Sequence, residues 1–417
     1  MPHFIDTPSG KVEAYIMWLN MLNGMPPAGK AFSDDFTAHV CLFEYAGHKG
    51  MLRTVTDHYV YVWFGPASDM YLKVAANVDD YLCFYKGEGV LEAFDAHMAK
   101  RWKTTKAGLD GWLNNQFYMD PVARTVTMTS EVRISEIMAE HLPDELGASS
   151  FPPTPYHPNL RSLKKGDGTM PKVDAQRSRR LCAQLIHEVV MTYYHAQEPV
   201  FLAARYQAEQ SMSPLALECL LYTLRYLYGQ RHCGPTLGGD GSELEPARRF
   251  LAASHADAGH AEAGPSTGGH TQDVGTTTVQ VASGQHHATT LATTDAETYE
   301  VSRAVASTQA LRSFLTEVGY PQELPSPIYC DNDGTVLKAA SARSDKRSLY
   351  MRRRVEFCLE SQAQGHTLVT EIASADNRAD LLTKALKTEV FQKLRGVLMN
   401  VARSNANLRS HLFTLSH

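Results

Sequence analysis

The chain has 417 residues, a mass of 46.2 kDa and a net charge of −5, and 43% of its residues are hydrophobic against 20% charged. This balance is typical of globular proteins and excludes wholesale disorder, and the length suits two or three domains of roughly 100–200 residues each. No apolar run approaches the roughly 18–20 residues that cross a bilayer, no secretory signal opens the chain, and seven scattered cysteines favour free thiols in a reducing compartment.

The first 150 residues combine strand-like and helix-like patterns. A helix running into a strand is predicted over Ser33–Tyr45, and Gly89–Trp102 has the apolar face of a second helix. Alternating apolar residues and runs of β-formers predict strands at Tyr59–Phe64, Tyr71–Ala76, Tyr81–Tyr85 and Thr125–Ser130. Because Asn77–Asp80 separates the second and third of these strands, it predicts a hairpin.

A predominantly helical segment follows. Residues 149–171 are rich in Pro, Gly, Ser and Lys and mark the first boundary, and helices are predicted over 175–230. The clearest helix begins at the N-cap Ser213, has Pro214 in its first position and ends at Gly229. Its leucine stripe is interpreted as core packing. Residues 234–246 form a second linker.

From residue 245 onward, strands and helices alternate as in an α/β domain. Residues 256–290 have the composition of a flexible tract, and only Thr278–Val281 resembles a strand. Thr294–Glu297 is a capping box and predicts the start of a helix that Gly319 closes. The remaining predicted elements are a strand at Ile328–Cys330, a basic helix over 345–360, a strand at Thr367–Glu371 and a helix over 376–400.

Basic charge is concentrated locally. Residues 161–180 hold 7 basic against 2 acidic side chains, and residues 343–354 hold 6 against 1, whereas residues 1–99 hold 6 against 12. Such clusters suit contacts with phosphate, and a solvated helix face is the alternative. The candidate phosphate-binding residues are Arg177, Arg179, Arg180, Lys346, Arg352, Arg353 and Arg354.

Two sets of acidic residues are candidates for metal chemistry. Asp79 and Asp80 are adjacent at the predicted hairpin, where carboxylates attract a divalent cation such as Mg²⁺; a solvated turn is the alternative. Glu297, Asp331 and Asp380 lie in or beside predicted elements of the last domain. Each has an ordinary interpretation as a helix cap, a strand-end turn or a helix N-terminal charge. Together with a carboxylate from an early strand, they would form a four-acid cluster that cuts a phosphodiester.

The sequence contains no motif for a zinc site, a serine nucleophile or a phosphate-binding loop. The five histidines between 255 and 287 lack zinc-motif spacing and nearby cysteine partners, so no metal site is predicted there. The chain contains no GxSxG sequence and no glycine-rich phosphate loop.

Taken in order, these segments resemble the end of a copia-like LTR retrotransposon polyprotein, namely the second half of its reverse transcriptase followed by its ribonuclease H. NVDDYLCF at 77–84 is similar to the family's YVDD hairpin, and LNGMPPAGKAF at 22–32 to its LYGLKQAPRAW segment. Downstream, the resemblance rests on SPLALECLLYTLRYLYGQR at 213–231, TTDAETYE at 293–300, IYCDNDGTVLKAA at 328–340 and ADLLTKAL at 379–386.

The resemblance implies an α/β (α+β) fold in three parts. A partial reverse transcriptase palm with an antiparallel sheet would cover 1–150, a linker and helical connection 151–240, and a ribonuclease H-like mixed-sheet domain 241–417. The tract at 256–290 would then form the first hairpin strands of that sheet. Asp79 and Asp80 match polymerase metal ligands; Glu297, Asp331 and Asp380 match three ribonuclease H acids. Lys346 falls on a lysine of the family's basic helix, and Arg353 on a histidine.

The chain departs from the family pattern at both sites. The family's first polymerase aspartate lies on a strand before this chain begins, so we expect no polymerase activity from the chain alone. The family's SDAD is here Ser254-His255-Ala256-Asp257, so a histidine, a poor ligand for Mg²⁺, replaces the first aspartate. Asp257 lies two residues on, on the same strand face, and is the expected imperfect substitute.

The expected function is therefore that of a truncated reverse transcriptase/ribonuclease H fragment that hydrolyses RNA in RNA:DNA hybrids with Mg²⁺ or Mn²⁺. The alternative is a non-catalytic nucleic-acid-binding relic. The expected partners are an RNA:DNA hybrid or another nucleic acid and the missing upstream part of the polyprotein, with no membrane. The expected location is cytoplasmic or nuclear.

Overall fold

The computed structural model describes residues 3–7, 10–14, 28–67, 69–78, 80–105, 115–164, 166, 170–208, 212–238, 244, 246–259, 265–341 and 346–401. Its internal contacts divide the chain into two units, Met1–Lys106 and Ala107–His417. The boundary predicted near residue 150 lies inside the second unit, and the division into three domains stays a prediction.

The first unit contains a four-stranded antiparallel sheet with the strand order β5-β6-β7-β8. Its helices are α1 (Ala28–Val40) and α2 (Val90–Met98). Its strands are β1 (His3–Thr7), β2 (Gly10–Ala14), β3 (Glu44–Tyr45), β4 (His48–Lys49), β5 (Leu52–Arg53), β6 (Val60–Phe64), β7 (Tyr71–Asn77) and β8 (Asp80–Lys86).

The core of this unit is aromatic. Trp63 of β6 and Phe94 of α2 are buried on either side of Phe43, and their rings meet Phe43 edge to face with centroids 5.6 and 5.5 Å apart. The predicted hairpin is confirmed, because β7 and β8 pair in antiparallel register with Asn77 opposite Asp80.

The second unit holds the remaining elements. Its helices are α3 (Glu131–His141), α4 (Lys172–Met191), α5 (Gln197–Ala204), α6 (Pro214–Gly229), α7 (Thr293–Glu317), α8 (Asp333–Ala340), α9 (Arg352–Ala363) and α10 (Thr388–Leu398). Its strands are β9 (Gln116–Asp120), β10 (Thr125–Thr129), β11 (Thr236–Gly238), β12 (Ala252–Gly259), β13 (Thr267–Val274), β14 (Thr277–Gln285), β15 (Ser326–Cys330) and β16 (Thr367–Glu371). Short 3-10 helices occur at Pro143–Glu145, Leu160–Ser162, Tyr194–Ala196, Pro246–Arg248, Lys346–Met351, Ser374–Asp376 and Arg378–Leu382.

A five-stranded mixed sheet dominates this unit, with the order β14-β13-β12-β15-β16. The first three strands pair antiparallel, and β12, β15 and β16 pair in parallel. This pairing confirms the prediction that the tract at 256–290 forms the first hairpin strands of the sheet.

Helices cover both faces of this sheet. On one face Ala256 and Ile328 pack with Val301 and Val305 of α7 and Cys358 of α9. On the other face Val281 of β14 and the leucines of the 3-10 helix Arg378–Leu382 join the core formed by α4, α5, α6 and α10. The predicted leucine stripe of α6 lies in this core, as expected.

Two predicted helix boundaries are wrong. The capping box at Thr294–Glu297 does not form, because α7 begins at Thr293 with Ala292 as its N-cap and has no side-chain cap bond. The helix predicted over 376–400 is interrupted: Asp380 lies in the 3-10 helix, and α10 begins only at Thr388. In both places a carboxylate, that of Glu297 or Asp380, contacts other elements instead.

Candidate active site

Two neighbouring parallel strands bring Asp257 and Asp331 together. β12 and β15 pair with His255 opposite Tyr329, so Asp257 lies two residues further along β12 while Asp331 directly follows the last residue of β15. Asp380 joins them from the 3-10 helix. One carboxylate oxygen from each of the three lies within 4.8 Å of the others. We call Asp257, Glu297, Asp331 and Asp380 the acid cluster.

Tertiary hydrogen bonds hold Asp380 in its 3-10 helix. The Asn377 amide donates to Ala256 O at 3.0 Å and to Asp331 Oδ1 at 3.2 Å, and its side-chain oxygen caps the backbone N–H of Ala379. Ser283 Oγ donates to Leu382 O at 2.6 Å. A continuous α-helix would lose these contacts, which explains why the local helical pattern does not prevail.

Glu297 reaches the acid cluster from the second turn of α7. Its carboxylate, the thiol of Cys330 and the carboxylate of Asp331 offer ligand atoms within 4.8 Å of one another. Glu297 is buried, and the Cys330 thiol lies 4.0 Å from its Oε2. The missing capping bond thus leaves this carboxylate free to face Asp331.

Crowding of carboxylates away from water changes their proton affinity. Burial, together with the charges of Asp257 and Asp331, raises the pKa of Glu297 to about 9. Burial and the charge of Asp257 raise the pKa of Asp380 to about 6, although Lys384 opposes the shift. Like charges in a dry site repel, so the cluster favours either a bound proton or a cation.

Lys384 supplies one such cation. Its ammonium nitrogen lies 3.2 Å from Asp257 Oδ1 and 2.8 Å from Asp380 Oδ1. Burial alone would lower the pKa of Lys384, but the two carboxylates outweigh this and raise it above its ordinary value. Thr383 Oγ1 donates to the other oxygen of Asp257.

The donor set of the cluster fits a hard divalent cation. Carboxylate oxygens are the ligands that Mg²⁺ and Mn²⁺ prefer, and a cation would offset the repulsion that raises the pKa of Glu297. The four acids come from four separate chain segments that meet at the ends of two parallel strands, and their assignment as metal ligands stays a prediction.

Sequence comparison finds relatives among retrotransposon proteins. The chain is 30% identical over 177 residues to the "Retrovirus-related Pol polyprotein from transposon RE1" of Arabidopsis thaliana, and 30% identical over 127 residues to the corresponding protein of transposon RE2. The chain is related to retrotransposon Pol polyproteins. The matched segments span 42% and 30% of this chain but only 12% and 9% of those relatives. No family model matches the chain.

Three solved ribonuclease H structures are similar to part of this chain. Among solved structures, the N-terminal RNase H domain of a Mycobacterium tuberculosis protein is 13% identical with a TM-score of 0.25, covering 35% of this chain and 96% of that one. RNase H1 from Halobacterium salinarum is 17% identical with a TM-score of 0.25, covering 32% and 93%. A compost-derived RNase H1 is 18% identical with a TM-score of 0.27, covering 34% and 97%.

His255, at the position of the family's first aspartate, lies outside the acid cluster. Its ring nitrogen Nδ1 lies 3.0 Å from Asp273 Oδ2, and its ring lies against Tyr329 with centroids 4.7 Å apart. Burial lowers the pKa of His255, although Asp273 opposes the shift. It is Asp257, the predicted substitute, that the structure brings to Asp331 and Asp380.

Two further histidines have structural partners. His270 Nδ1 lies 2.7 Å from Glu300 Oε1 and His286 Nε2 lies 3.0 Å from Glu300 Oε2, while Arg303 donates to the same carboxylate at 2.9 Å. This closed network joins α7 to β13 and to the residue that follows β14.

The two adjacent aspartates of the predicted hairpin are only partly described. Asp79 lies outside the described residues, and Asp80 is exposed at the start of β8. Among the residues that the structure describes, Asp80 belongs to no group of three potential metal ligands. The polymerase assignment of these two aspartates stays a prediction.

The first basic cluster contacts neighbouring helices. Arg177 donates to His141 O, Arg179 donates to Gln207 O at 3.2 Å, and Arg180 lies 2.6 Å from Glu140. These contacts stabilise the helical segment, and a role in phosphate binding stays a prediction.

The second basic cluster is divided between packing and solvent. Arg354 lies 3.5 Å from the ring centroid of Tyr299 and donates to Ser302 at 2.8 Å, so it joins α9 to α7. The side chain of Arg353 is 96% exposed, and Arg352 pairs with Glu356 at 2.7 Å. The side chain of Lys346 lies outside the described residues.

Sequence reasoning missed three residues that support the cluster. Asn377 and Ser374 donate to Asp331, and Lys384 joins Asp257 to Asp380. Only Lys384 could have been found from the sequence, since it lies four residues after Asp380 within ADLLTKAL, the spacing of a helical ion pair.

Among the described residues, no helix is both long and apolar enough to cross a membrane.

Proposed function

We propose that this chain is a copia-type reverse transcriptase/ribonuclease H fragment whose acid cluster hydrolyses the RNA strand of RNA:DNA hybrids. The observation that carries the proposal is the convergence of four carboxylates at the ends of β12 and β15, with three of them within 4.8 Å of one another. The relationship to Pol polyproteins and the ribonuclease H-like sheet support it.

Carboxylates of the acid cluster would hold the metal, Mg²⁺ or Mn²⁺. When bound, such ions lower the pKa of a water nucleophile and stabilise the leaving oxygen of a phosphodiester. The chain's own residues prepare the site. Ser374 and Asn377 fix the orientation of the Asp331 carboxylate, and Thr383 fixes that of Asp257. Burial and the charges of Asp257 and Asp331 raise the pKa of Glu297, which favours its protonated form when no cation is bound.

The test is cleavage of a hybrid whose RNA strand carries an end label, in Mg²⁺ and in Mn²⁺. We expect the wild-type chain to shorten the RNA and Asp331→Asn to lose at least tenfold in rate. Asp376→Asn is the matched control, because Asp376 is a nearby aspartate that pairs with Lys393 at 2.9 Å on the surface. A wild-type rate in Asp331→Asn would overturn the assignment of the acid cluster.

A second candidate function is non-catalytic binding of nucleic acid. It is favoured by the exposed guanidinium of Arg353 on α9. Hybrid binding without cleavage, falling steeply as salt increases and weakened by Arg353→Ala, would favour this function. We propose the RNA:DNA hybrid as the partner in both cases, along with the upstream part of a polyprotein.

A further inference from the structure

The cation inside the acid cluster belongs to the chain itself. Lys384 Nζ bridges Asp257 Oδ1 at 3.2 Å and Asp380 Oδ1 at 2.8 Å. The backbone fixes this position, because the N–H of Lys384 donates to Asp380 O at 3.1 Å and closes one turn. The lysine side chain is only 42% exposed, so its charge is partly withdrawn from water together with theirs.

The other side of the cluster is held by neutral groups. The hydrogen-bond partners of Asp331 are the hydroxyl of Ser374 and the amide of Asn377. Glu297 lies beside the thiol of Cys330. The cluster therefore has two overlapping halves, because Asp331 groups both with Asp257 and Asp380 and with Glu297 and Cys330. The Lys384 ammonium contacts Asp257 and Asp380 of the first half, and we call the second the Glu297–Asp331 half.

We propose that Lys384 is a resident cation that takes the place of one divalent ion, so that the chain binds a single Mg²⁺ or Mn²⁺, at the Glu297–Asp331 half. This inference rests on the proposed function of the acid cluster as a metal site. An ammonium within 3.2 Å of two carboxylates offsets their repulsion, and a second divalent ion at that position would have to displace it.

The charge of Lys384 therefore determines how many divalent ions the acid cluster binds. If the ammonium is removed, Asp257 and Asp380 become an unneutralised buried pair, which is costly and attracts a hard cation. If the positive charge is kept, as in Lys384→Arg, a side-chain cation still occupies the position between Asp257 and Asp380. Lys384 is thus a positioning residue, and its effect is measurable without substrate.

The experiment is a titration of the full chain with Mn²⁺, in which the paramagnetic resonance signal of free Mn²⁺ counts the bound ions, with no nucleic acid present. We expect one bound ion for the wild type, two for Lys384→Met and one for Lys384→Arg. Lys393→Met is the matched control, since Lys393 pairs with Asp376 outside the cluster and should leave one bound ion. Circular dichroism checks that each variant is folded.

Two bound Mn²⁺ ions in the wild-type chain would overturn the inference, even if Lys384→Met fails to fold. A folded Lys384→Met variant that still binds one Mn²⁺ ion would overturn it as well. In either case hybrid cleavage that depends on Asp331 would leave the proposed function standing. If neither the wild type nor Lys384→Met binds Mn²⁺, and no hybrid is cut, both proposals fail together.

Discussion

At the scale of single residues, strand register decides which carboxylate joins the site. Matching the family's SDAD to this chain assigns the metal ligand position to His255. In the structure that histidine faces Asp273, and Asp257 lies beside Asp331. The sequence predicts all four acids as candidates, because each lies in a recognisable segment, but their distances depend on the pairing of β12 with β15, which no local pattern contains.

The contacts of His255 predict the effect of restoring the family's aspartate. In His255→Asp, a second carboxylate would face Asp273 in a buried site, so we expect the free energy of unfolding to fall by roughly 3–5 kcal/mol. Arg378 lies 3.4 Å from Asp273 and is already paired with that carboxylate. Urea denaturation measures the change, with His287→Asp as the control because His287 is exposed. A His255→Asp variant as stable as the wild type, with faster hybrid cleavage, would contradict this prediction.

A buried histidine in the helical core makes stability depend on pH. His195 lies among Tyr193, Tyr226 and Phe391, and neither ring nitrogen has a hydrogen-bond partner among the described residues. Burial, with the charge of Arg395, lowers its pKa well below the ordinary value of 6.5. The unfolded chain therefore binds a proton below about pH 6.5 that the folded chain does not bind, and stability is lost as pH falls.

We predict that the wild type loses about 1.4 kcal/mol of unfolding free energy per pH unit below pH 6 relative to His195→Phe, which cannot titrate. Urea denaturation of both proteins at several pH values gives the two slopes. We compare the change of unfolding free energy with pH, and not its absolute value, because the larger phenylalanine changes packing equally at every pH. Parallel slopes would show that His195 does not carry the effect.

At the scale of elements, most helices and strands follow from periodicity, and the exceptions have tertiary causes. Three of the four strands of the first sheet (β6, β7 and β8), α6 and β15 are where the sequence predicts them, whereas the two-residue β5 is not predicted. The break at Asp380 was not predictable, because Asn377 and Ser283 stabilise it through partners more than 90 residues away in the chain. The start of α7 differs for a related reason, since Glu297 lies beside Asp331 and Cys330 and makes no capping bond.

The attachment of α7 to the sheet depends on one glycine. A Cβ at Gly268 would come within 2.0 Å of Glu300 Oε2 and 2.2 Å of His286 Nε2, inside the network that joins α7 to the sheet. Its cross-strand partner Gly284 has nothing within 4 Å of the same position.

We therefore predict that Gly268→Ala lowers the free energy of unfolding by roughly 1–3 kcal/mol, while Gly284→Ala changes it little. The two variants differ by the same methyl group on paired strands, so β-propensity is matched. Thermal denaturation monitored by circular dichroism compares them. Equal melting temperatures would mean that the Glu300 network adjusts without cost.

At the scale of the whole molecule, the two candidate sites lie in different units. The acid cluster is contained in Ala107–His417, whereas the Asp79-Asp80 hairpin is in Met1–Lys106. Two-metal phosphoryl transfer needs a further carboxylate beside that pair, and the described residues place no such group at Asp80.

We predict that the chain alone gives no primer extension on a primed RNA template, in Mg²⁺ or Mn²⁺, under conditions in which a complete reverse transcriptase extends the primer. Extension that is lost in Asp80→Asn would contradict this prediction. Extension that persists in that variant would point to a contaminating polymerase.

The most direct test of the central claim compares three substrates that share one labelled RNA: an RNA:DNA hybrid, the free RNA and an RNA:RNA duplex. We expect the wild-type chain in Mg²⁺ to shorten only the RNA of the hybrid, and we expect a chelator to stop the reaction. An intact hybrid, or equal cutting of all three substrates, would contradict the claim that the acid cluster is a ribonuclease H site.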